Sequence, residues 1–474
     1  MKTQLLILTA LISAFAMNAQ VTLVKEINDN GTSSSLPANL TEFGGIIYFG
    51  ADDSNGSNTP GGADLGKELW ITDGTGGGTT FVKDLRTGSA SSSPSFFFEY
   101  NSTLYFSANT GAGNVLHSTD GTAVGTTSTG GGFVFNPIEL NGLIYYVNTT
   151  DSNGLWEFDG TTQVNVTDAG AGAENLSGAV LTVFNGKIFC YMNYSTDDVT
   201  IGNELYSYEP TTDVFTLIKD ITGDDANSGI SNFTVMGSEL YFEALGALWK
   251  TDGTEVGTVA VAAAVSLGGV GNLVAFNGKV LFEGDNGTSN DQLWSYDPLG
   301  DTITNVSNIT GSVATGGNNH DPSDYAELDG FLYYAGEVSD ETVQYLFRTD
   351  GTTSTRLDSS IKDIDDLAVL SNVLYFEGDN GTTGNELYKF DPASLSVGEN
   401  QLEIVSVYPN PATDYILVSN NLMNASYAIY DITGKTVKQG TINSEKINLD
   451  LNSGLYLFKV ETELSTVTKK IIIK

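Results

Sequence analysis

The segment Glu68-Leu69-Trp70-Ile71-Thr72-Asp73-Gly74-Thr75 constrains this chain more than any other feature, because the chain repeats it. Close copies are Val115-Leu116-His117-Ser118-Thr119-Asp120-Gly121-Thr122, Gly154-Leu155-Trp156-Glu157-Phe158-Asp159-Gly160-Thr161, Ala247-Leu248-Trp249-Lys250-Thr251-Asp252-Gly253-Thr254 and Tyr345-Leu346-Phe347-Arg348-Thr349-Asp350-Gly351-Thr352. Looser copies without the Gly-Thr are Glu204-Leu205-Tyr206-Ser207-Tyr208-Glu209, Gln292-Leu293-Trp294-Ser295-Tyr296-Asp297 and Glu386-Leu387-Tyr388-Lys389-Phe390-Asp391. From Trp70 to Tyr388 the marker position recurs at a mean interval of about 45 residues, the size of a four-stranded propeller blade. Eight equivalent units of that length must bury their faces against one another.

Each unit carries three further strand signals. An aromatic run precedes the marker, as in Ile46-Ile47-Tyr48-Phe49, Leu104-Tyr105-Phe106, Leu332-Tyr333-Tyr334 and Leu374-Tyr375-Phe376. Asn141-Gly142, Asn185-Gly186, Asn277-Gly278 and Asp329-Gly330 stand before such runs, and these pairs suit the tight hairpin that needs φ > 0 at both central positions. Before the hairpin lies a weaker strand such as Asn272 to Phe276. After the marker comes a run like Thr80-Phe81-Val82-Lys83-Asp84-Leu85. The last unit lacks this fourth run, and an orphan copy, Val21-Thr22-Leu23-Val24-Lys25-Glu26-Ile27, stands at the other end of the array. A closed ring uses that permutation to remove an exposed sheet edge. The expectation is an all-β chain: an eight-bladed β-propeller closed by its N-terminal strand, followed by a small β-sandwich.

The ends of the chain read differently. Residues 1–19 have the form of a secretory signal peptide, with Lys2, the apolar run Leu5 to Phe15 and the small Ala19 before Gln20. No cysteine follows to carry a lipid, and no later run is apolar for about 18 residues, so neither a lipoprotein anchor nor a membrane helix is expected. The propeller is expected over 20–392, a polar linker over 393–401 and a separate domain over 402–474. The acidic excess stops at that boundary: residues 402–474 hold seven Lys and seven Asp or Glu, whereas 20–401 hold 12 basic and 51 acidic residues. Short alternating runs in the tail, from Tyr415-Ile416-Leu417-Val418 to the closing Lys470-Ile471-Ile472-Ile473, suit a β-sandwich.

The net charge of −38 argues against nucleic acid and anionic membranes as partners, since both demand Lys and Arg. The single cysteine, Cys190, forms no intramolecular disulfide and sits in a strand-like run that implies a buried thiol. His117 occupies a marker position and reads as packing, and His320 falls in a loop. Two histidines do not make a zinc site by themselves. The Asp-Gly-Thr segments read as turns, because Asp accepts backbone N–H bonds two residues on and Gly supplies φ > 0. The loops 51–56, 284–291 and 378–386 cluster Asp, Asn and Glu oxygens suited to calcium, without EF-hand spacing. No catalytic, binding or metal residue is singled out, and no cofactor is expected, with calcium the open possibility. Carboxylate pairs for glycoside cleavage are defined by spatial separation, which the sequence leaves open.

The repeat resembles that of the ELWxxDGT-repeat proteins, a group of secreted bacterial proteins with propeller-like arrays. That resemblance implies fold and no common activity. The tail looks like the type A C-terminal sorting domain of the type IX (Por) secretion system of Bacteroidetes-type bacteria. It does so through Tyr408-Pro409-Asn410-Pro411-Ala412, Ile429 to Lys435, Leu451-Asn452-Ser453-Gly454-Leu455-Tyr456 and Lys469 to Ile473. The resemblance implies export by the signal peptide, outer-membrane passage guided by the tail, and release or attachment at the surface, with the secretion machinery as partner. The expected function is a secreted or cell-surface, non-catalytic propeller that binds a glycan, polymer or surface protein. The alternative is a carbohydrate-active hydrolase or lyase on the same scaffold.

Overall fold

The computed structural model describes residues 21–148, 153–166, 176, 180–193, 201–287, 291–309, 319–338, 341–392, 407–418, 423, 425–461 and 466–474. The segments expected to be the signal peptide (1–19) and the linker (393–401), and residues 402–406, lie outside these. The chain divides into two compact units, one over Ala19–Asp391 and one containing Pro392–Lys474.

In the first unit the described residues form eight four-stranded antiparallel sheets. Seven run in simple chain order, beginning with blade 1: Ala38–Phe43, Ile46–Asp52, Lys67–Thr72 and Thr80–Lys83. Every marker residue lies on the third strand of its sheet. Blade 8 takes Lys362–Leu370, Val373–Asp379 and Asn385–Phe390 from the end of the array and Val21–Lys25 from its beginning. Val21 pairs with Phe390 and Leu23 with Tyr388.

The apolar clusters show that these sheets close on themselves. Tyr48 and Leu69 of blade 1 pack with Leu104 and Phe106 of blade 2. Tyr105 and Leu116 meet Ile144 and Tyr146 of blade 3. Tyr145 and Leu155 meet Ile188, Cys190 and Tyr206 of blade 4. Phe189 and Leu205 meet Leu240 and Phe242 of blade 5, and Tyr241 and Leu248 meet Phe282 and Trp294 of blade 6. Leu281 and Leu293 meet Tyr334 and Phe347 of blade 7. Tyr333 lies 5.6 Å from Phe390 of blade 8. Tyr375 and Leu387 then meet Phe49 and Trp70 of blade 1. Each second strand is buried on both faces, which is why its sequence is a continuous apolar run and not an alternation.

The repeat's first residue has a role its polarity hides. Glu68, Glu204, Gln292 and Glu386 are fully buried. Glu68 accepts the Leu85 and Ser92 N–H groups at 2.8 and 3.0 Å and the Ser92 hydroxyl at 2.6 Å. Glu386 does the same for Ile27 and Asn28, at 2.7 and 3.1 Å, and for Ser35. Glu204 takes the Ile221 N–H at 2.9 Å. Gln292 takes the Ile309 N–H and the Ser307 hydroxyl on its one carbonyl oxygen. These side chains receive the backbone as it leaves a fourth strand for the next blade, where no strand partner exists.

The second unit contains a three-stranded sheet, built on Val407–Tyr408, Tyr415–Val418 and Lys446–Asn448, and a four-stranded one that includes Ser426–Asp431 and Gly454–Glu461. One core, with Ile416, Val418, Ile429, Phe458 and Ile471, takes side chains from both.

Candidate functional site

The first strands of the blades carry a shared irregularity. A register shift places an extra residue in each, and that residue is left-handed: Asn39, Phe96, Asn136, Asn232, Asn272, Asp324 and Asp366, with φ between 49° and 59°. The corresponding stretch of blade 4 lies outside the described residues. Asn and Asp tolerate this conformation, whereas Phe96 strains it by about 1–2 kcal/mol. Its ring packs on Phe133 and Phe135, with centroids 5.3 and 4.4 Å away.

Three of these bulge residues, Phe96, Asn136 and Asn232, line a cavity of about 490 Å³ between the first strands of blades 2 to 5, with Phe97, Pro137, Ile138, Val180, Leu181, Ser231 and Phe233. Four consecutive first strands surround it, so it belongs to the channel along the ring axis. It offers half-exposed aromatic faces beside side-chain amides, a surface suited to stacking on a sugar ring or an apolar side chain and to bonding its hydroxyls or amides.

Blades 5, 6 and 8 are acidic at one register level, where blade 7 has Ala335. Glu243, Glu283 and Glu377 occupy equivalent positions on second strands, opposite Ser231, Gly271 and Asp365. Glu283, Asp291 and Asp321 bring a carboxylate oxygen each within 4.8 Å of one another. Burial, then Asp291 and Asp321, push the Glu283 carboxyl up to about 7, against the Asn272 amide that donates to it at 2.7 Å. Burial and the same two aspartates push Glu337 up to about 6. Burial also raises Glu377 to about 7, although the Asn385 amide donates to it at 2.6 Å. Asp324 is raised by burial and by Asp365 beside it. Glu337, Asp363, Asp365 and Glu377 line a second cavity of about 270 Å³ between blades 7 and 8. Such groups can hold a proton near neutral pH or share a divalent cation.

The residues weighed from sequence fall elsewhere or fall partly here. The Asp-Gly-Thr segments are turns: Asp73 Oδ1 takes the Thr75 N–H at 2.9 Å and its hydroxyl at 2.7 Å, and Asp120, Asp159, Asp252 and Asp350 repeat this. Loop 284–291 contributes Asp291 to the carboxylate group. Loop 378–386 closes on itself, with Asp379 on the Gly381 N–H and Asn380 on those of Thr382 and Thr383. His117 is buried and stacks on Phe106 at 5.3 Å. His320 is in a loop but fully buried, with its ring nitrogens on the Glu337 carbonyl at 2.6 Å and the Tyr334 hydroxyl at 2.9 Å. Cys190 is buried in the core between blades 3 and 4. Sequence reasoning missed the left-handed bulge, whose one signal was the Asn or Asp recurring in the first strands of six blades.

Residues 406–474 match the family described as the secretion system C-terminal sorting domain. The chain is therefore a protein secreted through the type IX secretion system to the cell surface or the extracellular space. No helix among the described residues is long and apolar enough to cross a membrane. A comparison with curated proteins finds no match. Among solved structures the chain is similar to PorZ of Porphyromonas gingivalis, an essential bacterial surface component of the type IX secretion system, at 14% identity and a TM-score of 0.42. The match covers 91% of this chain and 64% of PorZ. It is also similar to the β-propeller domain of the Trilobed protease from Pyrococcus furiosus, at 12% identity over 69% of this chain and 99% of that one, TM-score 0.40. A third is oligogalacturonate lyase from Vibrio parahaemolyticus, at 10% identity over 76% and 98%, TM-score 0.43.

Proposed function

We propose that the propeller is a non-catalytic binding module of the cell surface or its surroundings, taking a glycan, a polymer chain or a surface-protein segment at the mouth of its channel. The carrying observation is the cavity over blades 2 to 5, where Phe96 holds a strained backbone to present its ring beside Asn136 and Asn232. Backbone strain kept at a cavity wall points to a ligand more than to folding. The secreted chain, tested on a glycan and polysaccharide array and against intact cells, is expected to bind a defined target. Phe96→Asn is expected to lower that affinity at least tenfold while leaving the fold intact. Equal binding by wild type and variant would overturn the reading.

A second reading is a carbohydrate-active enzyme, favoured by Glu283, a carboxyl held near neutrality beside two further carboxylates. Turnover of a polysaccharide that Glu283→Gln abolishes would establish it in place of the first.

A further inference from the structure

We propose that Asn28 and Asp53 bind a calcium ion that fastens the closing strand to blade 1. Both side chains are 1% exposed, and each buries an oxygen without a partner, Asn28 Oδ1 and Asp53 Oδ1. A buried acceptor left unpaired keeps its full desolvation penalty. The two residues belong to one hydrogen-bonded unit, and a single electrophile reaching both oxygens would satisfy them.

The nest is tightly tied. The Asn28 amide nitrogen donates to Ser54 Oγ at 2.9 Å and to the Ser34 carbonyl at 3.4 Å. A carbonyl can only accept, so the amide is fixed with its oxygen on the other side. Asp53 Oδ2 takes the Asn58 N–H at 2.5 Å, and the Asn58 side chain reaches back to the Ile27 carbonyl at 2.8 Å. Thus Asn28, from the segment after the closing strand, and Asp53, from the loop after the second strand of blade 1, belong to one hydrogen-bonded unit. The exposed Asp29 carboxylate adds a second negative charge there, with Asn55 donating to it at 2.5 Å.

The unsatisfied atoms choose the ligand. Both are oxygens, one belongs to a carboxylate, and none of the described ion pairs supplies a cation to them. An oxygen-only set is calcium chemistry, since calcium takes oxygen ligands in irregular geometry. The comparable loop 378–386 spends Asp379 and Asn380 on its own N–H groups; Asp53 also serves N–H groups of its own loop, and differs in that its Oδ1 is buried without a close partner. This site is separate from the channel and independent of what the channel binds.

The test uses the full secreted chain, stripped with chelator and reloaded with calcium chloride. Hydrogen exchange in peptides spanning 26–35 and 51–66 is expected to slow at least tenfold on loading, with a rise in the unfolding midpoint. Asp53→Asn is expected to lose both responses while being no less stable than wild type in chelator, because it removes a buried charge and keeps the oxygen for Asn58. A merely structural Asp53 would lose stability in both conditions. Asn28→Ala is expected to weaken calcium binding at least tenfold. The double variant Glu283→Gln, Asp321→Asn is expected to keep the protection of both peptides, which separates this site from the carboxylates of the channel. Identical exchange in calcium and chelator, or a full calcium response in Asp53→Asn, would overturn the proposal.

Discussion

Raising the pH from 5 to 8 is expected to destabilise this protein, and the reason lies in its buried glutamates. Glu68 is fully buried, and burial pushes its carboxyl from 4.5 to about 7 even though three donors face it. Between those two values the folded chain holds a proton that the unfolded chain has released. Stability therefore falls as pH rises through that window and is fully present only below about 4.5. A shift of that size corresponds to about 3 kcal/mol for Glu68 alone, or about 6 °C at roughly 2 °C per kcal/mol. Glu386, raised to about 8 by burial, adds in the same direction, whereas buried His320 and His117, pushed below the usual imidazole range, act oppositely up to about pH 6.5, so the decline is steepest above that pH. The net charge of −38 also favours low pH, but salt screens it and scarcely touches buried groups. The assay is the thermal midpoint of the secreted chain at pH 5, 6, 7 and 8 in about 0.5 M salt, where the Debye length is only a few ångströms. Wild type should lose several degrees across the series, and Glu68→Gln should flatten part of that slope. A midpoint that stays level or rises towards pH 8 refutes the reasoning.

Other substitutions separate architecture from binding. Trp70→Ala removes a buried side chain packed edge-on to Phe81 between blades 8 and 1, and should cost about 3–5 kcal/mol in chemical denaturation. Asp120→Ala breaks only an exposed turn, so it should cost about 1 kcal/mol or less and leave ligand binding unchanged in the same array. Phe96→Asn exchanges relieved strain for lost contacts with Phe133 and Phe135, so its unfolding midpoint should move by no more than about 2 °C. Removal of residues 407–474 should keep the protein inside the cell envelope, read by fractionation and immunoblot.

The blades were legible because each demands the same things of about 45 residues: a doubly buried aromatic strand, a hairpin with φ > 0, and a marker strand. Asn141-Gly142 and Asn185-Gly186 are left-handed at both residues, as the hairpin chemistry requires. The orphan strand at Val21 was legible for a related reason, since only a closed sheet needs it. The role of Glu68 and Glu386 was not, because a glutamate in a repeat reads as surface and its partners lie in the next blade or at the far end of the chain. The one hint was Gln292, which keeps the acceptor and drops the charge. The carboxylate group at Glu283, Asp291 and Asp321 was hidden for another reason. Its members come from two sheets, and sequence distance says nothing about which loops meet across a ring.

The hydrogen bond from the Ile27 N–H to Glu386 spans 359 positions of sequence. A tether of that length costs about 2 kcal/mol more in chain entropy to close than one spanning a single repeat. The last sheet also cannot be finished until both ends of the array are in the same compartment. A chain synthesised N-terminus first makes its earliest strand at the start and that strand's partner only at the end. The molecule thus carries a timer: the ring locks when the final repeat has emerged, immediately before the segment that addresses the protein to the outside.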